Sequence, residues 1–181
     1  MGTIVAIETD DGVAIAGDRR VTRGGLVTGD STTRVVEIGE VGAAAVGEEG
    51  AVDSFRHRLA VELERVEIER GRELTVGVVG RITARVAEDA DVEAVVAARD
   101  DEGVARIRQV GADGSVLADP VAALGSGRQL AVGQLEAVDL ENTARSADQL
   151  VCDVLRAVAE RDPATGDEID RWSLSNESTG G

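Results

Sequence analysis

The chain has 181 residues and a formal net charge of −16, from 35 acidic residues against 19 arginines. Lysine is absent, so no lysine Schiff base, phosphate-gripping P-loop lysine or lysine general base is available. Aromatic residues make up only 1% of the sequence, which excludes the stacking platforms of single-strand nucleic-acid binders, and the dispersed acidity repels nucleic acid and anionic membranes alike.

The first 46 residues read as strands. The β-branched run Thr3–Ile7, the turn signal Asp10-Asp11-Gly12 and the run Val13–Ala16 predict a hairpin beginning at residue 3. Thr33–Ile38 and Val41–Val46 predict a second pair around Gly39-Glu40. A helix fits residues 50–70, where Val52, Phe55, Leu59, Leu63 and Val66 recur at spacings of three and four, with Gly71 as its stop. Val79, Ile82 and Val86 share a face of a second helix. Residues 92–99, 104–110 and 115–124 read as three strands separated by Asp-Asp-Glu-Gly and Ala-Asp-Gly turns. A short helix follows Gly125-Ser126-Gly127. A long one runs from about Thr143, read as its N-cap, to Glu160, with Ala147, Leu150, Val151, Val154, Leu155 and Val158 as its apolar stripe. Asp162-Pro163 ends it, Ile169–Leu174 forms a last strand, and residues 173–181 read as a frayed tail. Strands, two helices, strands, two helices and a strand make a layered α+β domain over residues 1–172, not an alternating βαβ fold.

Length and a 43% apolar content suit one domain with a core of Val, Ala, Leu and Ile. No apolar run approaches the ~20 residues of a membrane span, and no charged-then-apolar leader precedes the first strand, so a cytoplasmic protein is expected. The lone Cys152 excludes an internal disulfide and a Cys-based zinc site, and reads as a small buried helix residue. His57, between Arg56 and Arg58, reads as a solvated helix residue rather than a catalytic base or metal ligand. Asp10-Asp11 and Asp100-Asp101-Glu102 are explained by turn chemistry. No metal and no cofactor are expected. Acidity, missing lysine and few aromatics together resemble proteins adapted to high salt, where a Debye length of ~3 Å at 1 M screens self-repulsion.

One constellation is more specific. Met1-Gly2-Thr3-Ile4-Val5-Ala6-Ile7, followed by Asp11-Gly12-Val13-Ala14-Ile15-Ala16-Gly17-Asp18-Arg19-Arg20-Val21-Thr22, resembles the opening hairpin of proteasome β subunits and of the bacterial protease of the same fold. Gly125-Ser126-Gly127 is similar to that family's Gly-Ser-Gly, and Arg161-Asp162-Pro163-Ala164-Thr165-Gly166 to its Arg-Asp-x-x-Ser/Thr-Gly. The resemblance spans about residues 2–172. With the first strand starting at residue 3, it is to β-type rather than α-type subunits, which carry an extra N-terminal helix.

The resemblance implies an N-terminal nucleophile hydrolase: a four-layer αββα sandwich assembled into rings. In active members a terminal Thr, freed by self-cleavage after a Gly, attacks a peptide carbonyl, while its own amine or a nearby lysine handles the proton. Carried onto this chain, the pocket residues Asp18, Ser126, Asp162 and Thr165 are present. Arg34 stands at the catalytic lysine's place, and the ungapped alignment puts Gly2 at the nucleophile's place, with Thr3 next. Glycine has no hydroxyl to activate, and arginine does not shuttle protons at neutral pH. The resemblance thus implies a non-catalytic or strongly impaired ring subunit. Removal of Met1-Gly2 to expose Thr3 would instead give an active threonine endopeptidase, at the cost of a one-residue slip in the first hairpin. A third reading is a module that binds peptides or small molecules in the inherited pocket. Gly47-Glu48-Glu49-Gly50 falls near where relatives shape their primary pocket; two glutamates there would favour basic side chains, or simply begin the next helix.

Overall fold

The computed structural model describes residues 1–71 and 74–178. β1 (Thr3–Thr9) and β2 (Gly12–Asp18) form the expected hairpin, closed so that Ile4 faces Gly17 and Thr9 faces Gly12. β3 (Val21–Arg23) and β4 (Leu26–Gly29) form a small separate ribbon. β5 (Val35–Ile38) and β6 (Val41–Val46) follow, then α1 (Glu49–Arg70), which ends on a left-handed Gly71, and α2 (Val76–Ala90). β7 (Glu93–Arg99), β8 (Ala105–Val110), β9 (Val116–Leu117) and β10 (Val121–Gly125) lead to α3 (Arg128–Glu136), α4 (Ala147–Ala159) and β11 (Ile169–Ser175).

Two antiparallel sheets result, in the orders β10-β1-β2-β11 and β5-β6-β7-β8-β9. The alternation of their side chains builds three cores between four layers. Ile4, Ala6, Val13 and Ile15 of the first sheet meet Ala44, Val46, Val95 and Ala97 of the second. Val5, Ile7, Ala14 and Ala16 point the other way, onto Leu150, Val151, Val154 and Leu155 of α4. Ala43, Ala45, Ala94 and Val96 receive Phe55, Leu59 and Leu63 of α1 and Val79, Ile82 and Val86 of α2. This is the αββα sandwich that the resemblance implied. Small residues on both faces of β6 and β7 let aliphatic side chains fill the gaps without aromatic rings. The one tryptophan, Trp172 on β11, lies against Gly42, where any Cβ would overlap the indole ring.

Three expectations are corrected and one element is added. The stretch 115–124 is not one strand: Pro120 has no N–H to give to a ladder, and the chain changes sheets there, with β9 pairing β8 and β10 pairing β1. The N-cap of the long helix is Ser146, not Thr143. Its hydroxyl accepts from Gln149 N–H while the Gln149 side chain accepts from Ser146 N–H, a reciprocal capping box. The β3–β4 ribbon went unforeseen, although Gly24-Gly25, both at positive φ, is a hairpin-turn signal. Finally, the expected tail is ordered at its start. β11 reaches Ser175, Asn176 Nδ2 donates to Asp10 O, and Glu177 N–H donates to Gly103 O. Thr179–Gly181 lie outside the described residues.

Candidate functional site

The start of β1 is clamped between the end of β2, the loop before α3 and the loop after α4. Asp18, the last residue of β2, is fully buried, and its carboxylate is saturated by backbone donors. Oδ1 accepts from Thr3 N–H at 2.6 Å; Oδ2 accepts from Arg20 N–H at 3.0 Å and Gly166 N–H at 2.8 Å. One carboxylate therefore ties three segments that are remote in sequence, as a buried charge requires.

Arg34 enters from just before β5. Its guanidinium donates to Asp18 O and, at 2.5 Å, to Arg20 O, and lies 3.6 Å from Asp18 Oδ1. Burial lowers its pKa, with Asp18 pulling the other way. Arginine starts so far above neutrality that the group remains a cation. Gly2 sits directly over this pair: a Cβ added there would overlap Asp18 Oδ1 and Arg34 Cζ, and would lie 2.7 Å from Arg34 Nη1. Position 2 thus points to Arg34 and Asp18.

Thr3 points the opposite way, in the row of Val5 and Ile7. It is fully buried. Its Oγ1 accepts from Gly127 N–H at 2.8 Å and lies 2.7 Å from Thr165 Oγ1. Thr165 spends its own proton on Asp162 Oδ2 at 2.6 Å, so the Thr3 hydroxyl must donate to Thr165. The chain of donors runs from Gly127 N–H through Thr3 and Thr165 to Asp162. Ser126 Oγ completes the cluster, 2.7 Å from Asp162 Oδ2 and 2.6 Å from Met1 O. Partial burial pushes the Asp162 carboxyl up. The bonds from Thr165, Ser126 and Ala164 N–H outweigh this and hold it below its ordinary value.

The glycines of Gly125-Ser126-Gly127 have separate reasons. Gly125 has φ +91°, and a Cβ there would overlap Gly2 O, which accepts from Ser126 N–H. A Cβ on Gly127 would press into Val158 of α4 and come 2.6 Å from Thr3 Oγ1. The motif is the close approach of the loop to β1.

Thus the structure brings together Gly2, Thr3, Asp18, Arg34, Ser126, Asp162 and Thr165. It adds Arg20, unforeseen in the sequence, whose guanidinium reaches Asp30 Oδ1 at 3.1 Å, Pro163 O at 3.2 Å and Thr165 O at 3.3 Å. The signal was there: Arg20 follows Asp18 by two residues inside the opening motif. His57 is exposed on α1 and Cys152 is buried in α4, both apart from this cluster. Among the described residues, no group of His, Cys, Asp or Glu side chains gathers closely enough to hold a metal ion. None of the helices in the described residues is long and apolar enough to cross a membrane.

A cleft of 570 Å³ opens beside the site, bordered by Met1, Thr22, Arg34, Glu48, Glu49 and Gly50. Glu49 opens α1 favourably toward its dipole and is bound by Arg23 of β3 at 2.6 Å across the rim.

Comparison with known proteins agrees with this architecture. A family model described as "Proteasome subunit" matches residues 1–173. A proteasome subunit beta 1 from Staphylothermus marinus is 31% identical, over 97% of this chain and 85% of the relative. Proteasome subunits beta from Halorhabdus utahensis and Halorubrum lacusprofundi are each 29% identical, over 92% of this chain and 74% and 70% of theirs. With the family match running from β1 into β11, the chain belongs to the proteasome family, as a β-type subunit.

Proposed function

We propose that this chain serves intracellular proteolysis as a ring-forming β-type subunit that does not itself cut peptides. The observation that carries this reading is the pairing of Gly2 with Arg34: the position facing Asp18 has no hydroxyl, and the cation beside it does not exchange a proton near neutral pH. Asp18, Ser126, Asp162 and Thr165 keep a structural task, holding the start of β1 to two loops. Partners are other proteasome-type subunits, in rings of this chain or mixed ones.

The threonine-peptidase reading needs the Thr3 hydroxyl beside Arg34. The register argues against it. Sliding β1 by one residue breaks its pairing with β2 and β10 and turns Ile4 and Ala6 out of the inter-sheet core. Without the slip, cutting after Gly2 leaves a Thr3 whose hydroxyl is buried against Thr165 and Gly127, on the wrong face.

The cleft supports a companion reading, binding of an extended peptide without cleavage, with Glu48 and Glu49 favouring a basic side chain. Hydrolysis of fluorogenic peptides in molar salt tests the main proposal. No turnover above buffer is expected from the assembled protein. Turnover that Thr3→Ala abolishes would overturn it.

A further inference from the structure

We infer that Gly2 and Arg34 exclude each other's side chains: the guanidinium of Arg34 is seated in the volume that any side chain at residue 2 would need. This goes beyond the loss of two reactive groups, and it rests on packing alone, not on the absence of activity. The point where a Cβ of residue 2 would stand is inside contact distance of Arg34 Cζ and 2.7 Å from Arg34 Nη1.

Three features keep the guanidinium from moving aside. Arg34 is only 6% exposed. Its two Nη groups are spent on the carbonyls of Asp18 and Arg20. Asp18, which closes the seat from the other side, is fixed by three backbone N–H groups. A long side chain is usually a soft obstacle, because its end swings away. Here the fork is bonded on both prongs and buried, so displacing it strands two carbonyls and leaves Asp18 without its nearby cation.

The consequence is an order of events. A hydroxyl restored at residue 2 alone, as Ser or Thr, finds its place taken; Arg34 has to shrink first. The site is a plugged seat, with glycine required by the plug.

A double-mutant cycle read by thermal unfolding tests this on the full chain. The substitutions are Gly2→Ala, which adds only a methyl, and Arg34→Met, which keeps the stem and removes Cζ and both Nη atoms. Overlap with Asp18 Oδ1 is common to both backgrounds and cancels. Gly2→Ala is expected to lower Tm by about 5 °C in the parent chain, the scale of overpacking in a buried site. In the Arg34→Met background it is expected to lower Tm by less than half as much. Equal losses in the two backgrounds would overturn the inference, whatever the peptide assay shows. Should Arg34→Met not fold, Arg34→Lys replaces it, since its unforked amine is free to withdraw; the same two outcomes decide.

Discussion

Thr3 Oγ1 lies 2.7 Å from Thr165 Oγ1, on the face of β1 opposite to Arg34. The two hydroxyls form the buried middle of a donor chain that starts at Gly127 N–H and ends on Asp162. A hydroxyl with both its proton and a lone pair committed, and no exposure, is a structural tie.

Thr3→Ala should therefore destabilise the fold by about 1–3 kcal/mol, because it strands a buried N–H and an acceptor at Thr165. Thr3→Ser keeps the hydroxyl and should recover most of the loss. Urea midpoints of the two variants check this. Equal losses would mean that the methyl group, not the network, matters.

The cluster also titrates. The Asp162 carboxyl is held below its ordinary value by the donors around it, chiefly Thr165 and Ser126, against the opposing effect of burial. A group depressed in the folded state contributes stability that is complete above its unfolded pKa, about 3.9, and lost as pH falls through the lower folded value. Asp162→Asn should lower stability at pH 7 and flatten the acid limb. An unchanged slope between pH 5 and pH 2 would show that Asp162 does not contribute to acid unfolding.

Gly42 is a packing requirement of the sheet-to-sheet core. A methyl group there overlaps the Trp172 ring, so Gly42→Ala should cost about 1–3 kcal/mol. With one tryptophan in the chain, its emission reports the displacement directly. Unchanged emission and Tm would show that the ring has room.

The net charge of −16 predicts a salt effect of definite sign. Ion pairs such as Arg23–Glu49 and Arg58–Asp89 are exposed, and exposed pairs contribute little. Self-repulsion among the acids outweighs them, and salt screens it. Tm should rise from 0.1 M to 2 M KCl; a fall would show that the pairs outweigh the repulsion.

The layering and most of the site were legible because both rest on short-range rules. Short apolar runs marked β1, β2 and β6, apolar stripes marked α1 and α4, and turn residues marked their ends. Pro120 was equally legible but sits inside a longer apolar stretch, and at the start of the long helix Thr143 and Ser146 both offer a capping hydroxyl, of which only Ser146 has a Gln three residues on. What the sequence did not carry is direction in space. That Gly2 faces Arg34 while Thr3 faces Thr165 depends on the pairing of β1 with two neighbours at once. Arg20 gathers Asp30, Pro163 and Thr165 from distant segments, a convergence with no local pattern.

That Thr3 is a tie within an intact chain, and not a terminal nucleophile, is tested most directly by intact mass. The purified protein is measured before and after incubation, in molar salt, with an electrophile directed at N-terminal threonines. The expected species keeps the Gly2–Thr3 bond whole and forms no adduct. A species beginning at Thr3 and carrying the adduct would contradict this.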